Sequence, residues 1–315
     1  MTSRERMLRA LSRCEPDRVP YNLRPSPGMV ERLQRETGCG DFAGYFGHDV
    51  RYVAAAFPAP QASPRCGDWP MPVPDEAAWA AAGAQVAALQ ASGLAVCSAY
   101  AMGVFEQAKD WLGDERALVA MHEEPGFLER VLEAITAWKC AVYGGYVQAG
   151  VDIVWIGDDL GTQRSLVMSP ADYRRWYRPR HERIVRHLRR LRPQVRIAFH
   201  CCGHVTPLVR DLIEVGIDVL EAVQAETMDL AYLKRGFGGD LSFWGAVGAQ
   251  SVLARTTPAQ VREGVRATLQ TMAPGGGYVA APCHTLTEEV PWESILAFHE
   301  AVRRYGRYPR GWECP

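Results

Sequence analysis

The stretch Val195-Arg196-Ile197-Ala198-Phe199-His200-Cys201-Cys202-Gly203-His204 is an apolar run ending in a polar cluster and a glycine. It reads as a buried strand that opens into a loop. Side chains alternate along a strand, so His200 and Cys202 share a face with Ala198, while Cys201 joins Ile197 and Phe199 on the other. A second stretch, Gly277-Tyr278-Val279-Ala280-Ala281-Pro282-Cys283-His284, repeats the plan of an apolar strand ending in a cysteine. One imidazole and two thiolates, His200, Cys202 and Cys283, form a borderline-soft donor set that suits zinc and leaves a fourth position open for chemistry. A single Cys at the end of an apolar strand is ordinarily a small core residue. Two such strands opening on one face favour a metal site instead. The vicinal pair Cys201-Cys202 also has a redox reading, although neighbours with opposed side chains rarely form a relaxed disulfide.

Working outward, short apolar runs alternate with helical patterns along the whole chain. Strands are expected at residues 18–23, 49–53, 93–97, 152–156, 195–200, 217–220, 241–244 and 277–280, and helices at 75–91, 125–149, 170–191, 207–215, 258–272 and 292–305. Proline near the start of many of these helices fits the first turn, where a missing N–H costs nothing. This alternation predicts an α/β fold, a (β/α)8 TIM barrel in one domain spanning 1–315 with an N-terminal helical extension; an open doubly wound sheet is the alternative. No Gly-x-Gly-x-x-Gly follows an early strand and no Gly-x-x-x-x-Gly-Lys occurs, so nucleotide-binding versions lose support. The Pro-rich residues 57–74 read as a long loop within that domain, of the kind that forms a lid.

At 315 residues and 48% hydrophobic content the chain is long enough for a large core. Lys+Arg 35 against Asp+Glu 36 gives a formal net charge of −1, so there is no global basic field to attract nucleic acid or an anionic membrane. The arginines at 174, 175, 178, 180, 183, 186, 189 and 190 recur at helical spacing between apolar residues and read as a solvated helix face. The first eleven residues form a charged amphipathic helix without a signal-peptide core, and no run reaches the roughly 20 apolar residues that span a bilayer. Nine scattered cysteines suit a reducing cytosol better than a disulfide scaffold, so a cytoplasmic location is expected.

In a barrel the site lies at the C-terminal strand ends. Here those ends carry Tyr21 to Arg24, Cys97 to Tyr100, Gly157-Asp158-Asp159, His200 to His204, Glu221 to Gln224 and Cys283-His284. Asp158, Asp159 and Gln163 are the candidate catalytic residues: a carboxylate there can orient substrate, act as base, or bond to His200, or else cap a helix or turn. Arg24, Tyr100, Phe105, Glu106 and Gln224 are candidate substrate contacts. Tyr100, Phe105, Trp155 and Trp244 suit an aromatic pocket, although aromatic residues on barrel strands are more often core.

Several blocks resemble the uroporphyrinogen decarboxylase superfamily. They are residues 1–20 with Arg4-Glu5-Arg6 and Pro16-Asp17-Arg18-Val19-Pro20, Gly157 to Gln163, His200-x-Cys202-Gly203, Asp211 to Asp218, and Ala281-Pro282-Cys283-His284. The resemblance implies a (β/α)8 barrel and one of two branches, cofactor-free porphyrinogen decarboxylases or zinc-dependent methyltransferases that work with corrinoid proteins. The chain looks like the second branch, whose His-x-Cys and distant Cys correspond to His200, Cys202 and Cys283. The first branch binds four propionates with an Arg-rich N-terminal loop, where this chain offers only Arg24. The methyltransferase branch implies a small-molecule substrate, zinc, and a corrinoid (cobalamin) on a separate carrier protein, since the sequence after the last helix reads as a short tail. A zinc lyase or hydrolase, a metal-free decarboxylase relying on Asp158 or Asp159, and a non-catalytic metal-binding protein are the alternatives. Cys201 between the ligands, and His204 and His284 beside them, offer further donors.

Overall fold

Seven parallel strands of the computed structural model, which describes residues 1–58 and 71–308, run in chain order around a curled sheet. They are β1 (Val50–Val53), β2 (Ala95–Ser98), β4 (Ile153–Gly157), β5 (Arg196–His200), β6 (Val219–Val223), β7 (Ser242–Val247) and β8 (Tyr278–Pro282), with a two-residue β3 (Ala101–Met102) beside β4. The ring is closed by the segment around Tyr21. Ala280 donates its N–H to Pro20 and accepts from Asn22, while Asp49 donates to the Tyr21 carbonyl. With that segment as the eighth stave the architecture is the expected (β/α)8 barrel, and each of the eight apolar runs supplies one stave.

Two cores follow from the strand alternation. Facing outward, Ile197, Phe199 and Cys201 pack under the helices with the other large apolar residues. Facing inward, Ala95, Cys97, Ile153, Trp155, Ala198, Val219, Trp244 and Val279 fill the barrel, and Met7 and Leu11 of the helix Ser3–Leu11 complete this inner cluster. That helix therefore plugs the N-terminal end of the barrel, leaving only the C-terminal end open. Its start is secured by a capping box between Thr2 and Glu5. The expected helices at 75–91, 125–149, 258–272 and 292–305 form within a residue of their predicted limits, helped by Asp75 and Thr257 as N-caps and by Pro125 and Pro258 at first turns.

The arginine-rich segment is a helix with a π-helical turn at Tyr173–Tyr177 before Arg178–Leu191. Its apolar stripe, Ile184, Val185 and Leu188, is buried, and its arginines pair with neighbouring acids: Arg174 and Arg178 with Asp211, Arg183 with Glu133, Arg189 with Asp218. Charges spent this way brace the outer helices.

Four helices of eight residues or more were not expected: Pro27–Thr37, Val104–Leu112, Asp114–Glu123 and Leu230–Phe237. Val104–Leu112 follows Gly103, which has no side chain to cap it. Its cap comes from Asp158, whose two carboxylate oxygens accept the N–H groups of Val104 at 2.9 Å and Glu106 at 2.8 Å. A cap supplied from 54 residues away leaves no local signal. Most of the loop read as a lid, residues 59–70, and the tail beyond 308 lie outside the described residues. Among the described cysteines, Cys39, Cys97, Cys140, Cys201, Cys202 and Cys283 are free, whereas Cys14 is in a disulfide. Among the described residues no helix is long and apolar enough to cross a membrane.

Candidate metal centre

The open end of the barrel gathers the polar strand ends. His200 is the last residue of β5 and lies across from Gly157 of β4 on one side and Glu221 of β6 on the other. Cys202, two residues on, keeps to the same side: its Sγ lies 3.4 Å from His200 Nε2. Asp159, just past β4, places Oδ1 3.7 Å from the same nitrogen and accepts the N–H of Cys202 at 2.7 Å. The ligand atoms of Asp159, His200 and Cys202 all lie within 4.8 Å of one another. Cys201 points the other way as predicted, fully buried in the outer core, where its Sγ accepts the N–H of Leu160.

The loop carrying Cys202 is held by close backbone approach. Gly203 has φ +78°, and a Cβ there would fall 2.5 Å from the Thr162 carbonyl oxygen. Gly161 faces it, and a Cβ on Gly161 would fall 2.8 Å from the Cys202 carbonyl oxygen. Both positions need glycine because the loops after β4 and β5 touch main chain to main chain. Gln224 braces the same loop by accepting the Gly203 N–H at 3.0 Å, and its amide nitrogen lies 3.5 Å from Gln163 Oε1. Both glutamines thus sit around the Cys202 loop, with Gln163 exposed.

Behind the cluster stands Glu221, one of the strand-end residues expected at the mouth, whose pairing with His200 the sequence pattern did not foresee. Its Oε2 accepts from Trp155 Nε1 at 3.0 Å and bonds to His200 Nδ1, and its Oε1 lies 4.0 Å from the Arg24 guanidinium. Burial works against a charged His200, yet the Glu221 carboxylate outweighs it and the imidazole pKa is pushed up to about 10. Glu221 itself is lowered: burial alone would raise it, and the charges of His200 and Arg24 reverse that. Because Nδ1 is committed to Glu221, Nε2 is the nitrogen facing Cys202 and Asp159.

An aromatic wall flanks this pair. Trp155 lies below His200 with ring centroids 5.8 Å apart, and Arg24 stacks on Trp155 at 4.6 Å. Tyr100 stands edge-on to both, 5.3 Å from His200 and 5.2 Å from Trp155. The strand irregularity explains Tyr100: Cys97 pairs with Ile153 but Ala101 with Ile156, so the β2–β3 side holds one extra residue and bulges into the mouth. The Tyr100 hydroxyl donates to Glu106, whose carboxyl is raised chiefly by burial, with Asp159 and Asp158 adding to it against the Tyr100 bond. Deeper, Asn22 joins Tyr52 and Trp244 as the floor.

Three residues stand differently from the expectation. Asp158 is fully buried and bonds to His181 at 2.7 Å besides capping Val104–Leu112, so its oxygens are taken and it does not face the mouth. Phe105 is buried against Tyr177 in the outer layer rather than lining the pocket. Cys283 ends beyond β8 with its thiol donating to the Val223 carbonyl at 3.1 Å; it does not join the Asp159, His200 and Cys202 cluster, and burial pushes its pKa up to about 12. Of the additional imidazoles, His204 is turned to the Thr227 carbonyl, and His284 is exposed, its pKa lowered first by partial burial and then by Arg24 and His200.

Comparison with known proteins bears on the family and the fold. The family model described as uroporphyrinogen decarboxylase (URO-D) matches residues 95–305. Among solved structures, a methyltransferase from Methanosarcina mazei superposes with a TM-score of 0.73 at 17% identity, covering 97% of this chain and 99% of that one. A B12-independent methionine synthase from Shewanella sp. W3-18-1 matches more loosely, with a TM-score of 0.44 at 14% identity over 70% of this chain and 66% of that one. At these identities the likeness is one of fold. No curated protein sequence matches.

Proposed function

The chain belongs to the uroporphyrinogen decarboxylase family, and from that membership and the cluster at the barrel mouth we propose a zinc-dependent methyltransferase that exchanges a methyl group between a small molecule and a corrinoid on a separate carrier protein. The observation that carries the reading is the donor set. Tetrahedral zinc with bonds of about 2.0–2.3 Å spaces its ligand atoms about 3.3–3.8 Å apart. The His200–Cys202 and His200–Asp159 separations of 3.4 and 3.7 Å fall in that range. His200 and Cys202 would hold the metal, together with a third donor from the mouth. Bound there, zinc supplies Lewis acidity, which makes a thiol or hydroxyl acceptor more acidic or polarises an ether oxygen.

The remaining work falls to side chains. Glu221 takes the Nδ1 proton of His200 in a hydrogen bond and so fixes the ring with Nε2 presented. Trp155 and Tyr100 exclude water from one side of the cluster. Arg24, stacked over Trp155, puts a positive charge at the lip to orient an anionic group on the substrate. Glu106 accepts the Tyr100 proton in a hydrogen bond and keeps the phenol turned along the mouth. The metal-free decarboxylase reading draws less support, because it has no use for a cysteine beside an imidazole.

The test is to mix the zinc-loaded protein with methylcobalamin, or a methylated corrinoid carrier, and thiol or folate acceptors. Methyl exchange is expected as a change in corrinoid absorbance. Turnover of a substrate without any corrinoid would replace this reading with the zinc lyase or hydrolase.

A further inference from the structure

Both the resemblance and the spacing of the cysteines point to a two-thiolate site of His200, Cys202 and Cys283, yet the side chains are not disposed that way. We infer that the third protein ligand is Asp159 rather than Cys283, so that the metal is held by one nitrogen, one sulfur and one oxygen. This rests on the zinc reading above but not on methyl transfer.

Charge does not separate the two sets. A neutral imidazole with two thiolates, or with one thiolate and one carboxylate, carries the same formal charge of about −2 against Zn2+. Geometry separates them. His200 Nε2 lies 3.4 Å from Cys202 Sγ and 3.7 Å from Asp159 Oδ1, both at zinc-ligand spacing, and the three ligand atoms lie within 4.8 Å of one another. Asp159 is also tied to the thiolate loop, because its carboxylate accepts the Cys202 N–H. The loop is in turn locked by the contact of Gly161 with Gly203 and by the His204 N–H on the Thr162 carbonyl. Carboxylate and thiolate are therefore positioned as one unit, with Glu221 orienting the imidazole from behind.

Cys283 belongs to a different set of contacts. Its backbone N–H is bonded to Val247 at 2.9 Å, its thiol to the Val223 carbonyl at 3.1 Å, and the side chain is buried against the β6–β7 edge. To ligate, it would have to give up the bond to the Val223 carbonyl, whereas Asp159 Oδ1 already stands 3.7 Å from His200 Nε2. An N/S/O set is also harder than N/S/S, and leaves the metal more electrophilic toward whatever fills the open position.

X-ray absorption at the zinc edge of the purified full chain distinguishes the sets by counting sulfur neighbours. One sulfur is expected in the wild type, one in Cys283→Ser, and none in Cys202→Ser. In chelator competition, Asp159→Asn keeps an acceptor for the Cys202 N–H but loses the charge, and its zinc affinity is expected to fall about a hundredfold or more, while Cys283→Ser stays within about threefold of wild type. Circular dichroism of each variant excludes misfolding, and cobalt substitution gives a second readout: the thiolate-to-cobalt absorption should survive Cys283→Ser unchanged in intensity. Two sulfurs in the wild type, or zinc lost with Cys283→Ser and kept with Asp159→Asn, would overturn the assignment while leaving methyl transfer intact. A folded protein that takes up no zinc would overturn both.

Discussion

Replacing Glu221 by Gln tests the proposal that the carboxylate behind His200 prepares the cluster to hold a metal. A single oxygen, Oε2, serves both Trp155 Nε1–H and His200 Nδ1, while Oε1 faces Arg24 at 4.0 Å. Glutamine has one acceptor oxygen. If it takes the Oε2 place, the amide NH2 is turned toward the Arg24 guanidinium, donor against donor. If it flips, the NH2 meets two buried N–H groups instead. Either way His200 loses an anionic partner, and partners of this kind are worth about 10- to 100-fold in metal affinity. That corresponds to about 1.4–2.7 kcal/mol. Glu221→Ala should cost more, since each buried N–H left unpaired adds about 1–3 kcal/mol of desolvation. Competition against a zinc chelator at pH 7 measures the loss, with circular dichroism to show that the barrel is intact. A folded Glu221→Gln variant with wild-type zinc affinity would refute the argument that Glu221 orients the ligand.

Two further outcomes follow from local physics. Gly203→Ala should lower the thermal midpoint and weaken zinc binding together, because a left-handed backbone strain of about 1–3 kcal/mol is compounded by a Cβ placed 2.5 Å from the Thr162 oxygen. Gly275→Ala, at φ +76° with nothing within 4 Å of its Cβ, carries the strain without the clash and should leave zinc binding unchanged; equal effects of the two would dismiss the loop contact as a determinant. His48 is buried among Phe42 and Phe46, accepts the Leu23 N–H on Nε2, and is lowered to about 3, first by burial and then by Arg51 and His299. The unfolded chain therefore binds the extra proton between about pH 6.5 and 3, so the stability is present above 6.5 and is lost as pH falls through that window, by an amount on the order of 5 kcal/mol at most. Urea midpoints from pH 7 to 4 should show a shallower acid limb in His48→Gln than in the wild type; parallel limbs would contradict it.

Much of the site was legible one strand at a time. The period-two alternation of residues 195–202 was enough to put His200 and Cys202 on one face and Cys201 on the other, because a strand gives neighbours no alternative. The strand ends at Arg24, Tyr100, Asp159 and Gln224 were likewise readable as mouth residues once a barrel was expected. The pair Asp158-Asp159 was not separable: adjacent carboxylates look alike in sequence, yet one caps Val104–Leu112 from inside and the other faces His200. Glu221 was invisible as a partner for His200 because only strand register sets it opposite. Phe105 was misplaced because its helix has no local cap and was not foreseen.

The amino-acid order alone determined the seven strands and the bridged segment around Tyr21 that completes the ring, the principal helices between them, the (β/α)8 barrel and the two strand ends rich in imidazole and thiol side chains, since hydrophobic period and capping residues act over a few positions of chain. Which donors converge was decided by tertiary structure. The distances of 3.4 and 3.7 Å among Cys202, His200 and Asp159 depend on the register of β4, β5 and β6 and on two glycine loops in contact, while Cys283, equally placed in sequence, is turned to a carbonyl of β6. A pattern along the chain can put a side chain on a face, but only the packing of neighbouring strands and loops sets where that side chain points and what it meets.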